Sequence, residues 1–313
     1  MTSTPPMAST SPVASTSPVV TPRIGLLGTG PWAQSVHAPA LAAHPGVDLA
    51  GIWGRSQAAA AELAHTHGTR PYATPDELFA ACDAIAIALP PSVQAPLAVR
   101  AAEAGCHLLL DKPVATTVAE ARAVADAADR AGTATVVFFT LRFGQREGEW
   151  IAEQAAAGGW FTAHADWLSS VFAADSESPY LDSPWRREKG ALWDIGPHVL
   201  SVLLPLLGDA ESVTATRGPA DTVLLTLRHR GGAASSAAVS LTAPAPAASY
   251  DVTVHGAAGT TSLPNGQEGP RPAYHRAVDA LLTAARTGRP HPCDARFGAR
   301  VTEILAAAEK SLK

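Results

Sequence analysis

The chain has 313 residues, 47% of them hydrophobic and 16% charged, with a mean hydropathy of +0.08 and a formal charge of −5. That length favours two domains over one, and the composition describes a compact fold with large buried sheets. An acidic balance without a Lys/Arg-rich stripe argues against nucleic acid or an anionic membrane surface as partner, and no apolar run reaches the roughly 18 residues of a membrane span.

Residues 1–22, MTSTPPMASTSPVASTSPVVTP, carry the tandem repeat ASTSPV at 8–13 and 14–19. No charged n-region, apolar h-region or twin arginine marks them as a signal peptide. Their Ser/Thr/Pro/Ala content buries no core, so this tail is expected to be disordered. Met7, directly before the repeat, offers a second start.

From Arg23 onward, apolar runs alternate with helical patterns. RIGLLG (23–28) reads as a buried strand and PWAQSVHAPALAAH (31–44) as a helix. VDLAGIW (47–53) is the next strand, followed by an Ala-rich helix and by a short helix with Pro75 in its first turn. DAIAIAL (83–89) is too hydrophobic to have a wet face, and the helix after it stops at Gly105. HLLLD, a helix over 117–131 stopped at Gly132, and TATVVFF (133–139) complete the series. Unalternating strands separated by helices predict a doubly wound parallel sheet, a Rossmann-type α/β domain over 23–141.

Beyond about residue 141 the rhythm changes. A helix at 145–157 leads to WFTAHADWLSSVF, then to a long loop reaching about 190, then to a helix from Pro197 to Leu207. SVTATR, TVLLTLRH, AASSAAVSL and YDVTVHG alternate better and are joined by short turns, so a largely antiparallel open sheet is expected. Helices at about 271–287 and 295–311 close an α+β domain over 142–313.

Four motifs carry chemistry. GTGPWA, Gly28 to Ala33, is a GxGxxA turn between a first strand and a first helix. Gly28 permits the tight turn, Gly30 admits a pyrophosphate and Ala33 keeps the helix close, so Thr29, Pro31 and Trp32 are expected at the dinucleotide too. The second strand then ends in Trp53-Gly54-Arg55-Ser56, with no carboxylate for a ribose 2′-hydroxyl. Arg55, beside Ser56, is suited to pair with a 2′-phosphate, which favours NADP over NAD.

Lys112 is one of only four lysines in a chain that otherwise uses arginine. Placed after what counts as the fifth strand, at the carboxyl edge of the sheet, it is expected near the nicotinamide, where a compact ammonium can stabilise an alkoxide. The Lys112-Pro113 bond is a candidate for cis geometry. GALWDIGPHVL (190–200) sets Asp194 and His198 four residues apart at a helix start, one to orient the imidazole or hold a hydroxyl, the other to move a proton. An equally simple reading makes Asp194 a cap and His198 a core residue. Cys82, Cys106 and Cys293 are odd in number and show no CxxC or zinc spacing. No metal is expected, and a reducing cytoplasm suits them.

GTGPWA, DKP and DIGPH, in this order, resemble the glucose–fructose oxidoreductase/inositol dehydrogenase/MocA family over roughly residues 23–313. The resemblance implies an NAD(P)-dependent oxidoreductase of sugars, cyclitols or related polyols. It makes Lys112 the catalytic lysine and Asp194 and His198 the acid–histidine pair. The family's Glu-Lys-Pro is shortened here to Asp111-Lys112-Pro113, with Asp111 expected at the cofactor ribose. In ALPPSVQA (88–95), counted as the fourth-strand motif, Leu89, Pro90 and Gln94 are expected against the cofactor, Gln94 standing where many members have His. The loop YLDSPWRREKG (180–190) is expected to face substrate through Trp185 and Arg186, or else to plug the core and hydrate its charges. Arg142 is expected on the nicotinamide side, and a homo-oligomer, dimer or tetramer, is implied. The expected reaction passes a hydride between nicotinamide and a carbinol carbon. The alternative is a non-catalytic NADP(H)-binding sensor, which has no need of Lys112, Asp194 and His198 together.

Overall fold

A computed structural model describes residues 21–266 and 268–312, so the repeat lies outside the described residues. β1 (Arg23–Leu27) enters a helical stretch whose middle is a π-helical turn, Ala33–His37, and whose end is α1 (Ala38–Ala43). β2 (Asp48–Trp53), α2 (Gln57–Thr66), α3 (Pro75–Phe79), β3 (Ala84–Ile87), α4 (Pro91–Glu103), β4 (His107–Asp111), α5 (Val118–Ala131) and β5 (Thr135–Phe138) follow. Their chemistry explains the boundaries. Ser56, Thr74 and Thr117 accept from the backbone N–H three residues on, supplying the first orphan donors of α2, α3 and α5 with a partner. The five strands pair in parallel in the order β2-β1-β3-β4-β5, with Ile24, Leu26, Ile85, Ile87, Leu108 and Leu110 fully buried.

The second half holds α6 (Thr140–Phe143), α7 (Gln145–Ala157), β6 (Trp160–Leu168), α8 (Pro184–Asp194), α9 (Gly196–Leu207), β7 (Ala210–Arg217), β8 (Val223–His229), β9 (Ala234–Ser240), β10 (Ser249–Gly256) and β11 (Gly259–Ser262). Its sheet runs β11-β10-β6-β9-β8-β7, antiparallel except where β6 meets β9. Ala163, Ala165, Leu225, Val239, Val252 and Val254 are buried, and α9 packs on β6 and β9. Phe161 and Leu224 are 60% and 50% exposed.

Some expectations need correction. The loop predicted to reach residue 190 becomes α8 at Pro184, because proline in the first turn suits a helix start even in the charged run WRREK. Lys112 follows the fourth strand, not a fifth, and ALPPSVQA follows the third. Pro184–Leu207 is apolar and long enough to cross a membrane, yet 89% of its apolar window is buried within the fold.

The last helices, α10 (Pro270–Thr287) and α11 (Ala295–Ser311), return to the parallel sheet. Val137 N–H donates to the Cys293 carbonyl at 2.7 Å, Ala295 N–H to Thr135 Oγ1 at 2.9 Å, and Arg122 on α5 pairs with Glu303 on α11. This packing, together with α8 and α9, brings the second half against the carboxyl ends of β1, β3 and β4.

Candidate active site

A crevice of about 480 Å³ opens between those strand ends and the α8–α9 junction. On the sheet side it is lined by Gly30, Pro31, Trp32, Leu89, Pro90 and Asp111. Gly28 has φ +128°, and a Cβ there would stand 2.3 Å from the Ala88 carbonyl, so only glycine turns here. At Gly30 nothing lies within 4 Å of where a Cβ would be, which leaves the open approach a pyrophosphate needs. Ala33 is fully buried, opening the π-turn, and the Thr29 carbonyl accepts from Gln34 Nε2 at 2.9 Å. These residues fit a dinucleotide.

Opposite lies a charge cluster. Lys112 Nζ donates to both the Asp194 carbonyl and Asp194 Oδ1, each at 2.8 Å. Arg186 Nε donates to Asp194 Oδ2 at 3.0 Å. Burial by itself would raise the Asp194 pKa, but the Lys112 and Arg186 charges override it and hold the carboxyl at about 2. The carboxylate is therefore ionised and spoken for on both oxygens; it bonds to the two cations and not to the imidazole, and it supplies no cap to α9.

His198 lines the same crevice, 8% exposed and stacked on Trp167 at 4.7 Å between ring centres. Its Nδ1 is buried without a hydrogen-bond partner among the described residues. Burial first, then the Lys112 charge, pushes its pKa well below the ordinary histidine value, so the imidazole is neutral at pH 7 with proton-accepting capacity. Arg186 lies over the Tyr180 ring at 4.4 Å and the Trp185 ring at 4.6 Å, so one face of Trp185 is already occupied.

Other predicted residues lie elsewhere. Gln94 is 1% exposed and clasps the Asp111–Val114 turn: its Nε2 donates to the Asp111 carbonyl at 2.8 Å, and its Oε1 accepts from Asp111 N–H at 2.9 Å. That pair of bonds steadies the strand end carrying Lys112 and leaves Gln94 outside the crevice lining. The Lys112–Pro113 bond within this turn is cis. Arg142 also turns away, donating to the Ser201 carbonyl on α9 at 3.1 Å. Arg55 is exposed at the end of β2, and Ser56 caps α2. Sequence reasoning overlooked Tyr180, which lines the crevice within the quoted loop, and Trp167, whose stacking on His198 depends on how β6 meets α9.

A parallel dinucleotide-type sheet, a glycine turn and a Lys–Asp–His crevice closed by a second sheet domain define a nicotinamide-type oxidoreductase architecture. Residues 22–139 match the model of an oxidoreductase family with an NAD-binding Rossmann fold, and residues 166–262 match the GFO/IDH/MocA C-terminal domain. The chain belongs to the GFO/IDH/MocA oxidoreductase family. It is 29% identical to the uncharacterized oxidoreductase YdgJ of Escherichia coli over 202 residues, 61% of this chain and 55% of that one. With the levoglucosan dehydrogenase of Pseudarthrobacter phenanthrenivorans it shares 32% identity over 136 residues, 41% of this chain and 34% of that protein. The match thus spans about half, or less, of these curated relatives. Among solved structures, levoglucosan dehydrogenase with NADH and levoglucosan superposes with a TM-score of 0.81 at 22% identity, covering 92% of this chain and 96% of that one. GenD2 from gentamicin A biosynthesis with NAD gives 0.80 at 23% identity, covering 96% and 97%.

Proposed function

We propose that this protein is an NAD(P)-dependent dehydrogenase or reductase that interconverts a carbinol and a carbonyl on a sugar, cyclitol or related polyol, with NADP the preferred cofactor. The observation that carries the reading is the Lys112 ammonium held by Asp194 in one crevice with a neutral His198. Support for the substrate class comes from relatives named levoglucosan dehydrogenase and glucose-6-phosphate 3-dehydrogenase.

Gly28, Thr29, Gly30, Trp32, Leu89, Pro90 and Asp111 would hold the nicotinamide cofactor, whose bound form supplies a site to accept or give a hydride. His198 takes the proton of the substrate hydroxyl in oxidation and returns it in reduction. Lys112 donates to the same oxygen and stabilises its developing negative charge. Asp194, fixed by Arg186, keeps the ammonium aimed. Trp185 and Tyr180 bound the space beside it. Arg55, exposed at the β2 end where Gly54 replaces a carboxylate, would pair with a 2′-phosphate. Use of NADPH makes reduction of a keto-sugar the working direction. A homo-oligomer formed through the outer face of the second sheet, which bears Leu224, in the cytoplasm, completes the reading.

Fluorescence titration with NADPH and, separately, NADH, followed by a turnover screen of keto-sugars and polyols, tests it. Tighter NADPH binding and turnover of one sugar class are expected. Cofactor binding without turnover of any carbonyl or carbinol would leave a sensor instead.

A further inference from the structure

Behind the crevice lies a buried chain that the reaction above does not use. His37, the last residue of the π-turn after the phosphate turn, is wholly buried. Its Nδ1 lies 2.8 Å from the hydroxyl of Tyr274 on α10, and the two rings stand 4.3 Å apart. Its Nε2 faces Asp111 Oδ2 at 3.5 Å. The other Asp111 oxygen accepts the Lys112 backbone N–H at 2.7 Å, and Asp111 itself lines the crevice.

The direction of the Tyr274 bond follows from what surrounds it. Tyr274 is wholly buried, and its hydroxyl has no other hydrogen-bond partner among the described residues. Were Nδ1 the donor, the tyrosine proton would go unpaired and the Nε2 lone pair would confront a carboxylate oxygen. Both penalties vanish when Tyr274 donates to Nδ1, because the neutral imidazole then carries its proton on Nε2, toward Asp111. Nε2 makes no hydrogen bond among the described residues, so its hold on the carboxylate 3.5 Å away is electrostatic.

We propose that Tyr274 and His37 are positioning residues for Asp111: the tyrosine hydroxyl donates to Nδ1 and holds the ring in place, and the Nε2 proton holds the carboxylate turned toward the cofactor crevice. The proposal rests on reading that crevice as a nicotinamide site, and it links α10, late in the chain, to the cofactor side of the first domain. On that reading Asp111 faces the cofactor, whereas Tyr274 and His37 are absent from the crevice lining.

The test combines a spectroscopic and a binding readout. In 15N-imidazole spectra of the cofactor-free protein, with the His37 resonances assigned by their loss in His37→Gln, His37 should be the Nε2–H tautomer, and Tyr274→Phe, which removes the donor to Nδ1, should shift the Nδ1 resonance while the proton stays on Nε2. The same Tyr274→Phe variant should weaken cofactor binding about 3- to 10-fold by fluorescence titration. His37→Gln, whose amide N–H can occupy the Nε2 position, should bind within a few-fold of wild type, whereas His37→Asn, which keeps the Nδ1-like position alone, should bind about 10-fold more weakly. An Nδ1–H tautomer in the wild-type protein, or equal affinities for the Gln and Asn variants, would overturn the proposal. Absence of cofactor binding by the wild-type protein would instead strike the functional reading, and the tautomer measurement would still decide the Tyr274–His37 bond.

Discussion

Lys112 Nζ reaches both the backbone carbonyl and the carboxylate of Asp194, each at 2.8 Å, tying the end of β4 to the last residue of α8. One ammonium thereby satisfies an orphan helix-end carbonyl and half of a buried carboxylate. Its third proton has no partner among the described residues, and on the proposed reading it is the one that meets a substrate oxygen.

Lys112→Ala is expected to lower kcat about 10²- to 10³-fold while leaving cofactor affinity within a few-fold of wild type. It should also destabilise the fold by about 1 to 3 kcal/mol, because Asp194 keeps Arg186 alone as a charged partner. Lys112→Arg should recover part of that stability but little turnover, since a planar fork does not reproduce a compact donor. Steady-state kinetics and urea unfolding of the pair separate the two effects; wild-type turnover by the alanine variant would remove Lys112 from the mechanism.

Acid should expose the Asp194 cluster. Its carboxyl is held at about 2 in the folded state against an ordinary value of 3.8. A depressed carboxylate contributes stability that is complete above the unfolded value and is lost as pH falls from about 4 toward 2. The contribution is about 2 kcal/mol. Asp194→Asn should therefore be less stable than wild type at pH 7, with the gap closing through that acid window. Urea midpoints taken at pH 7, 4 and 3 provide the check, and a gap independent of pH contradicts the ion-pair account.

The neutral state of His198 sets a different pH signature. Because its folded pKa lies well below 6.5, kcat/KM for alcohol oxidation should show no acid limb near 6.5 from this residue, and the loss of base form should begin at markedly lower pH. The same shift predicts a stability loss as pH falls below 6.5, where the unfolded imidazole takes up a proton that the buried one refuses. His198→Asn should cut kcat about 10²- to 10⁴-fold. A wild-type limb near 6.5 that disappears in the variant would show that the imidazole titrates normally.

Much of this was legible in the sequence because it is local. Unalternating strands, Gly132 after α5 and Gly28 after β1 act over a few residues, and each behaves as its chemistry requires. What was not legible depends on which distant surfaces meet. Lys112 and Asp194 stand out separately, but their 2.8 Å bond joins elements brought together only by the second domain. Gln94 was expected at the cofactor from motif position, yet burial commits its amide to the Asp111 backbone. Arg142, adjacent to the domain change, was drawn to the Ser201 carbonyl on α9, an acceptor no local pattern announces. The start of α8 was hidden for another reason: the charges of WRREK mask helical periodicity, and burial begins only at Ala191.

Gly54 constrains how cofactor choice can be altered. A Cβ at this position would stand 2.6 Å from Thr29 Cγ2, so an aspartate cannot simply be restored at the end of β2. Gly54→Asp should destabilise the fold by about 1 to 3 kcal/mol through overpacking against the phosphate turn, and it should weaken both cofactors rather than convert the preference to NADH. Thr29→Ala in the same chain removes the colliding methyl and should return both stability and NADH binding. Arg55→Ala, at an exposed position with no hydrogen bond or ion pair among the described residues, should leave stability unchanged and weaken NADPH about 10-fold while sparing NADH. Paired titrations with thermal unfolding distinguish these outcomes: equal losses for NADPH and NADH in Arg55→Ala would mean that the guanidinium reads no 2′-phosphate, and a Gly54→Asp variant as stable as wild type would mean that Thr29 yields without cost.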